Sequence, residues 1–466
     1  MSSAAYHKKR EYLLTSKNLY KSTIYLAWPV VIQSILQVSV GTVDIKMVGT
    51  LGVDAISAVG TSRNIVMILL VLVMAISTGT TAMVARFIGK NDDRNASRSA
   101  GQAFMLSILL SMIIVPLGML TNEYSLRLLG VDDNVLNLAM DYMKVFFIAI
   151  PFFLLYFMAK SIFQGAGDTR TPLWIDIIMN LVNVLGNFVF IFGMFGIPAF
   201  GVAGAAMGTA LSRIVGAALG WGALLSGKFD IKVHWEDMIK PIWKVSNQII
   251  NIGIPAALQG LSRNGSTFVL FAILARTLDS VNAVPAFVIG TNLNQYALMP
   301  GLAIGTAAAT LSGMNLGAKQ YDRAEASGRV TAILGAGVML FISVLFFVFA
   351  NPFINFFLDV PNDEVVRIGT TFLLLIAIAE PFHAVTIVLS RTMQGAGYTK
   401  KPFTITLITW VFIRIILAYL LAIVFGLDSL GVWIAISISL IISGFMTYRL
   451  FNKGKWKEVK IYSVSN

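Results

Sequence analysis

Twelve stretches of this chain are each long and apolar enough to cross a lipid bilayer, and short polar turns separate them. They lie near 22–47, 53–85, 95–120, 135–163, 170–194, 200–226, 243–277, 283–314, 325–352, 364–395, 401–426 and 430–452. About 20 mostly apolar residues make one crossing, and several runs exceed that, which leaves room for tilt. Backbone groups in lipid must be satisfied within the segment, so these runs dictate helices. The expected fold class is an all-α integral membrane protein with twelve transmembrane helices. Composition agrees: hydrophobic types are 57% of the 466 residues and charged types 12%, about half the usual ~25%. That surplus excludes a soluble enzyme, a disordered chain and a nucleic-acid-binding protein.

Charge sorts by turn. The segment 1–21 is a basic leader with Lys8, Lys9, Arg10, Lys17 and Lys21, and it lacks the apolar stretch of a signal peptide. With that end in the cytoplasm, the inner turns carry Arg86, Lys90, Arg94, Arg98, Lys160, Arg170, Lys228, Lys232, Lys319, Arg323, Lys400 and Lys401. The outer turns hold only Arg127, Arg276 and Arg367, and are acidic, with Asp132, Asp133, Asp279, Asp359 and Asp363 among them. The positive-inside rule therefore expects both termini in the cytoplasm of a cell (plasma or inner) membrane. The net charge of +12 is a topology signal, and no nucleic-acid partner is needed to explain it.

The chain also repeats itself. Phe163-Gln164-Gly165-Ala166-Gly167 through Pro172 recurs as Met393-Gln394-Gly395-Ala396-Gly397 through Pro402, an offset of 230. Trp28-Pro29 and Gln33 answer to Ile254-Pro255 and Gln259 at an offset of 226. Two homologous six-helix lobes are expected, 22–226 and 248–452, joined by a polar cytoplasmic linker at 227–247 and followed by a basic tail at 453–466. Six helices per copy make the repeats parallel, a transporter arrangement with its site near mid-membrane. In the repeated turn, Gly165 and Gly167 are expected to permit a left-handed helix stop, and Pro172 to open the next helix.

A charge at the bilayer centre costs about 2.5–3.5 kcal/mol, so intramembrane ionisable residues need a reason. Asp44 follows Gln37 by seven residues and Gln33 by eleven, which puts all three on one helical face. A place near the outer end of that helix, in reach of water, is the alternative for Asp44. A second stripe is Asp176, Asn180, Asn183 and Asn187. Its alternative is interhelical hydrogen-bond glue. The repeat separates the two. Shifting by 230 takes the stripe to Thr406, Trp410, Ile413 and Leu417, and shifting by 226 takes Asp44 to Leu270. Glue required by the fold should recur in both halves, and this cluster does not. Phe152, Phe153, Tyr156, Met179 and Met207 lie at the depth of a cavity, though each also suits plain packing. Pro29 removes a helix hydrogen bond and is a candidate hinge. In the second lobe, Glu380 and His383 share a face, and an Arg263–Glu380 ion pair or gate is expected.

There is no Cys and only three His (His7, His234 and His383), so thiol chemistry and a multi-histidine metal site are excluded. No nucleophile–base pair suited to an intramembrane enzyme appears, and no Gly-x-x-x-x-Gly-Lys-Ser/Thr loop binds ATP. The protein is expected not to be an enzyme and to have no cofactor.

Trp28-Pro29, Val43-Asp44-Ile45-Lys46-Met47-Val48-Gly49, Arg86-Phe87-Ile88-Gly89-Lys90, both Gln-Gly-Ala-Gly turns, and Gly201-Val202-Ala203-Gly204-Ala205-Ala206 together resemble the multidrug and toxic compound extrusion (MATE) family. The resemblance implies a V-shaped pair of lobes, alternating access, and antiport of H+ or Na+ against cationic amphipathic organic compounds. It implies a coupling-ion site at Asp44, Gln37, Asn183 and Asn187, with Thr209 alongside; a Na+ there would be the only metal. Some members carry a second acid where Asn187 stands, which raises the importance of Asp176. The sodium-coupled branch uses acids near Arg263 and His383, and both are absent here. A functional monomer among membrane lipid is expected. The alternative within the superfamily is a lipid-linked oligosaccharide flippase, which would favour basic cavities; Arg263 keeps that reading open.

Overall fold

The computed structural model describes residues 3–227, 231–358 and 362–464. Lys228 and Asp230 of the expected linker and Asp359 of an outer turn lie outside them. The described residues are helical almost throughout. In chain order the helices are α1 (Ser3–Thr15), α2 (Leu19–Gly49), α3 (Val53–Lys90), α4 (Asp93–Leu128), α5 (Asp133–Gly165), α6 (Arg170–Phe192) and α7 (Gly201–Ser226). A short α8 (Trp235–Ile239) precedes α9 (Trp243–Leu274), α10 (Ser280–Gly317), α11 (Tyr321–Phe356) and α12 (Asp363–Gly395). The span Lys400–Val424 opens as α13 (Lys400–Thr406) and continues through α14 (Arg414–Tyr419), with π-helical turns at Leu407–Ile413 and Leu420–Val424; α15 (Asp428–Asn452) follows. Eleven spans are long and apolar enough to cross a membrane. The twelfth, α9, has 32 residues, but Asn247, Gln248, Asn251, Gln259, Arg263 and Asn264 lower its hydropathy.

The helices gather into two compact units. The first comprises the segment up to Thr15, Trp28–Gly253 and the segment from Ile461 onward; the second comprises Ser16–Ala27 and Ile254–Lys460. Each division inside a long helix falls one residue before a proline, Pro29 in α2 and Pro255 in α9.

Within the first unit, glycines let backbones meet. A Cβ at Gly253 would overlap the Ala75 carbonyl, and one at Gly79 the Ile249 carbonyl, so α3 and the start of α9 touch main chain to main chain. The linker is docked on α4. Asp237 is buried and accepts hydrogen bonds from Ser97 Oγ (2.7 Å) and Arg94 Nη1 (2.8 Å). Gln102 Nε2 donates to the carbonyls of Asp237 and Lys240, each at 2.9 Å. The second unit packs around a cluster in which Phe287 stacks on Trp433 at 5.2 Å and Phe372 meets that indole edge-on at 4.9 Å.

The repeated turns share one geometry. Asp168 N–H donates to Phe163 O at 2.8 Å, and Tyr398 N–H to Met393 O at 2.8 Å, the closing bond of a Schellman motif. Gly167 (φ 80°) and Gly397 (φ 87°) hold the left-handed position. Gly165 differs from the expectation: it ends α5 with helical backbone. It is glycine because a Cβ would lie 2.9 Å from Thr81 O, as one at Gly395 would overlap Ala309 O.

Candidate functional site

Helices α6 and α7 place the first cluster. They approach through small residues: a Cβ at Gly186 would lie 3.1 Å from Gly208 Cα, one at Gly204 would overlap Phe190 O, and one at Gly208 would overlap Asn187 Oδ1. That closeness seats Asn183 against Thr209, whose Oγ1 accepts from Asn183 Nδ2 at 3.3 Å. One turn on, Asn187 Nδ2 donates to Asp44 Oδ1 at 2.6 Å. Asn183 and Asn187 are buried, and their side-chain carbonyl oxygens have no hydrogen-bond partner among the described residues. The cluster therefore offers a carboxyl, two unspent amide oxygens and a hydroxyl. These are hard oxygen donors, suited to a proton or a small monovalent cation.

The expected stripes do not form one pocket. Gln33 is buried, and its Nε2 donates to Thr169 O at 2.9 Å, pinning the α5–α6 turn. Gln37 is exposed and bonds no described residue; Asp44 lies eleven residues beyond Gln33, about 16 Å along the helix. The three share a face but differ in depth. The α6 stripe divides in the same way. Asn180 is half-buried and forms no hydrogen bond with a described residue. Asp176 is buried away from Asp44; its Oδ1 accepts from Tyr156 OH and its Oδ2 from Lys160 Nζ at 2.9 Å. Lys160, expected in an inner turn, is thus inside α5. Its (i, i+4) spacing from Tyr156 puts both on one face of that helix. Arg213 of α7 lies over the Phe153 ring at 5.3 Å and the Tyr156 ring at 5.4 Å, and pairs with no carboxylate among the described residues.

In the second unit the expected Arg263–Glu380 ion pair is not formed. Glu380 is fully buried, with His383 Nδ1 3.8 Å from its Oε1 and no hydrogen bond to either oxygen among the described residues. The ionisable groups in electrostatic reach of Arg263 are instead Arg391 and Arg414. Arg414 is buried, bonds Ser439 Oγ at 2.8 Å and lies 3.6 Å over the Trp410 ring, whose other neighbour is His383. Gln259, the counterpart of Gln33, is also buried and pinned, donating to Thr406 Oγ1 at 2.7 Å and accepting from Gln394 Nε2 at 2.8 Å. Pro29 stands inside a continuous α2.

The profile of one protein family, MatE, matches this chain twice, over residues 29–189 and 255–420, which together exceed half of it. The chain belongs to the MatE family. The two matches coincide with the two halves of the internal repeat. The MatE chain is a multi-pass membrane transporter and not an enzyme. It is 27% identical to the uncharacterized transporter YisQ of Bacillus subtilis (strain 168), covering 93% of this chain and 94% of that one. It is also 27% identical to the probable multidrug resistance protein NorM of Thermotoga maritima, over 94% and 93% of the two chains. Its fold is similar to that of a solved structure of a multidrug resistance MATE family transporter of the MOP superfamily, with a TM-score of 0.89 at 20% identity, covering 97% of this chain and 99% of that one.

Proposed function

We propose that this MatE chain is a secondary active multidrug exporter. It antiports H+, or Na+, against cationic amphipathic organic compounds by alternating access. The observation that carries this reading is the Asp44–Asn187 hydrogen bond at 2.6 Å beside the unspent oxygens of Asn183 and Asn187. Asp44 is the one ionisable member of this cluster, so it can bind a coupling ion on one side of the membrane and yield it on the other. The family match and the similarity to a probable multidrug resistance protein support the same reading. The protein acts as a monomer in the cell membrane with both termini cytoplasmic, and needs no cofactor beyond the ion.

One observation favours a second reading. Arg391 and Arg414 each lie within electrostatic reach of Arg263 in the second unit, which suits an anionic headgroup and hence a lipid-linked oligosaccharide flippase. The test is efflux of a fluorescent organic cation from proteoliposomes under an imposed pH or Na+ gradient. Efflux under one gradient supports the exporter. No efflux under either, with scrambling of a pyrophosphate-linked lipid, supports the flippase.

A further inference from the structure

Lys160 and Asp176 pair at 2.9 Å without being sealed: their side chains keep 18% and 12% of their surface open. The fold does not require this pair. At the offset of 230, Tyr156, Lys160, Asp176 and Arg213 become Thr386, Ser390, Thr406 and Ser443. The second half builds the same helix-ending turn with hydroxyls there, and the Ser390 and Ser443 hydroxyls have no partner among the described residues. A desolvated ion pair that a homologous half omits is weak evidence for a stabilising role.

The surroundings are those an organic ammonium needs. Asp176 supplies a carboxylate, and Tyr156, Phe153 and Phe157 supply packed rings, with centroids 4.8 Å apart for Phe153–Phe157 and 5.3 Å for Tyr156–Phe157. Lys160 Nζ itself lies 5.9 Å from the Tyr156 ring centre, so one ammonium already takes both the carboxylate and the edge of the aromatic surface. Lys carries that charge on a flexible stem and can leave. Building on the exporter reading, we propose that Asp176 is a second site for an organic cation, and that the Lys160 ammonium occupies it as a tethered stand-in until a substrate displaces it. The charged and titratable groups facing Asp176 are Tyr156 and Lys160 from α5 and Arg213 from α7. With two cations beside one carboxylate, a small hydrated ion gains little there. An amphipathic cation gains ring contact as well, which selects for apolar substrates.

The test is equilibrium binding of tetraphenylphosphonium to the purified full-length protein. Lys160→Met vacates the carboxylate and tightens binding about tenfold, the effect of one modest polar interaction. The double variant Lys160→Ser/Asp176→Thr carries the second half's own side chains, keeps the fold and binds about tenfold more weakly than the unaltered chain. The proposal is overturned if folded Lys160→Met binds no tighter, or if the double variant binds as the unaltered chain does. Should Lys160→Met not fold, the double variant decides alone. A protein that responds to these substitutions but transports under neither ion gradient loses the exporter reading and keeps this site; the reverse pattern removes only the site.

Discussion

Asn187 is held by its neighbours more than by its own helix. Asp44 takes one end of its amide at 2.6 Å, and Gly208 leaves room for the other. Gly208→Ala drives a methyl into Asn187 Oδ1, so it costs about 1–3 kcal/mol of stability and pulls the amide from Asp44. Thermal unfolding in detergent and substrate efflux should both fall. Gly222→Ala, on the same helix with open space around it, should change neither. Asn183 and Asn187 were legible in the sequence because the stripe had no counterpart in the second half. Lys160 was not. Its charge matched an inner turn, and its pairing depends on where α6 presents Asp176, which no single segment records. The expected Arg263–Glu380 pair fails for a similar reason: opposite charge on two helices is not proximity, and the groups in electrostatic reach of Arg263 are Arg391 and Arg414.

Element by element, the apolar runs foretold most spans to within a few residues, since bilayer thickness sets a minimum length; α3 and α4 run further, to Lys90 and Leu128, beyond the expected ends at 85 and 120. It did not foretell the π-helical turns at Leu407–Ile413 and Leu420–Val424, which leave no compositional mark. Nor did it foretell that the linker is strapped to α4. Asp237 there accepts from both Arg94 and Ser97, so Asp237→Ala should cost about 2 kcal/mol, read as a lower unfolding temperature. Gly395→Val should cost more than Gly222→Val by a similar margin, because the Ala309 carbonyl it meets is backbone and cannot turn aside. Unfolding of the two purified variants side by side checks the difference.

At the scale of the whole molecule, repetition and its exceptions divide structure from function. Gln33 and Gln259 recur and are buried; Gln33 bonds the α5–α6 turn, and Gln259 ties α9 to α12 and α13. Asp44, Asn183 and Asn187 do not recur, and the structure brings Asp44 to Asn187 and Asn183 to Thr209. The most direct measurement is pH-gradient-driven efflux of a fluorescent organic cation from proteoliposomes, comparing the unaltered chain with Asp44→Asn and Asp44→Glu, and repeated with a Na+ gradient. The account predicts that Asp44→Asn loses gradient-driven efflux by at least about tenfold while staying folded, and that Asp44→Glu keeps part of it, because only the titratable group can take up and release the ion. Undiminished efflux by Asp44→Asn under the same gradient that drives the unaltered chain would contradict it.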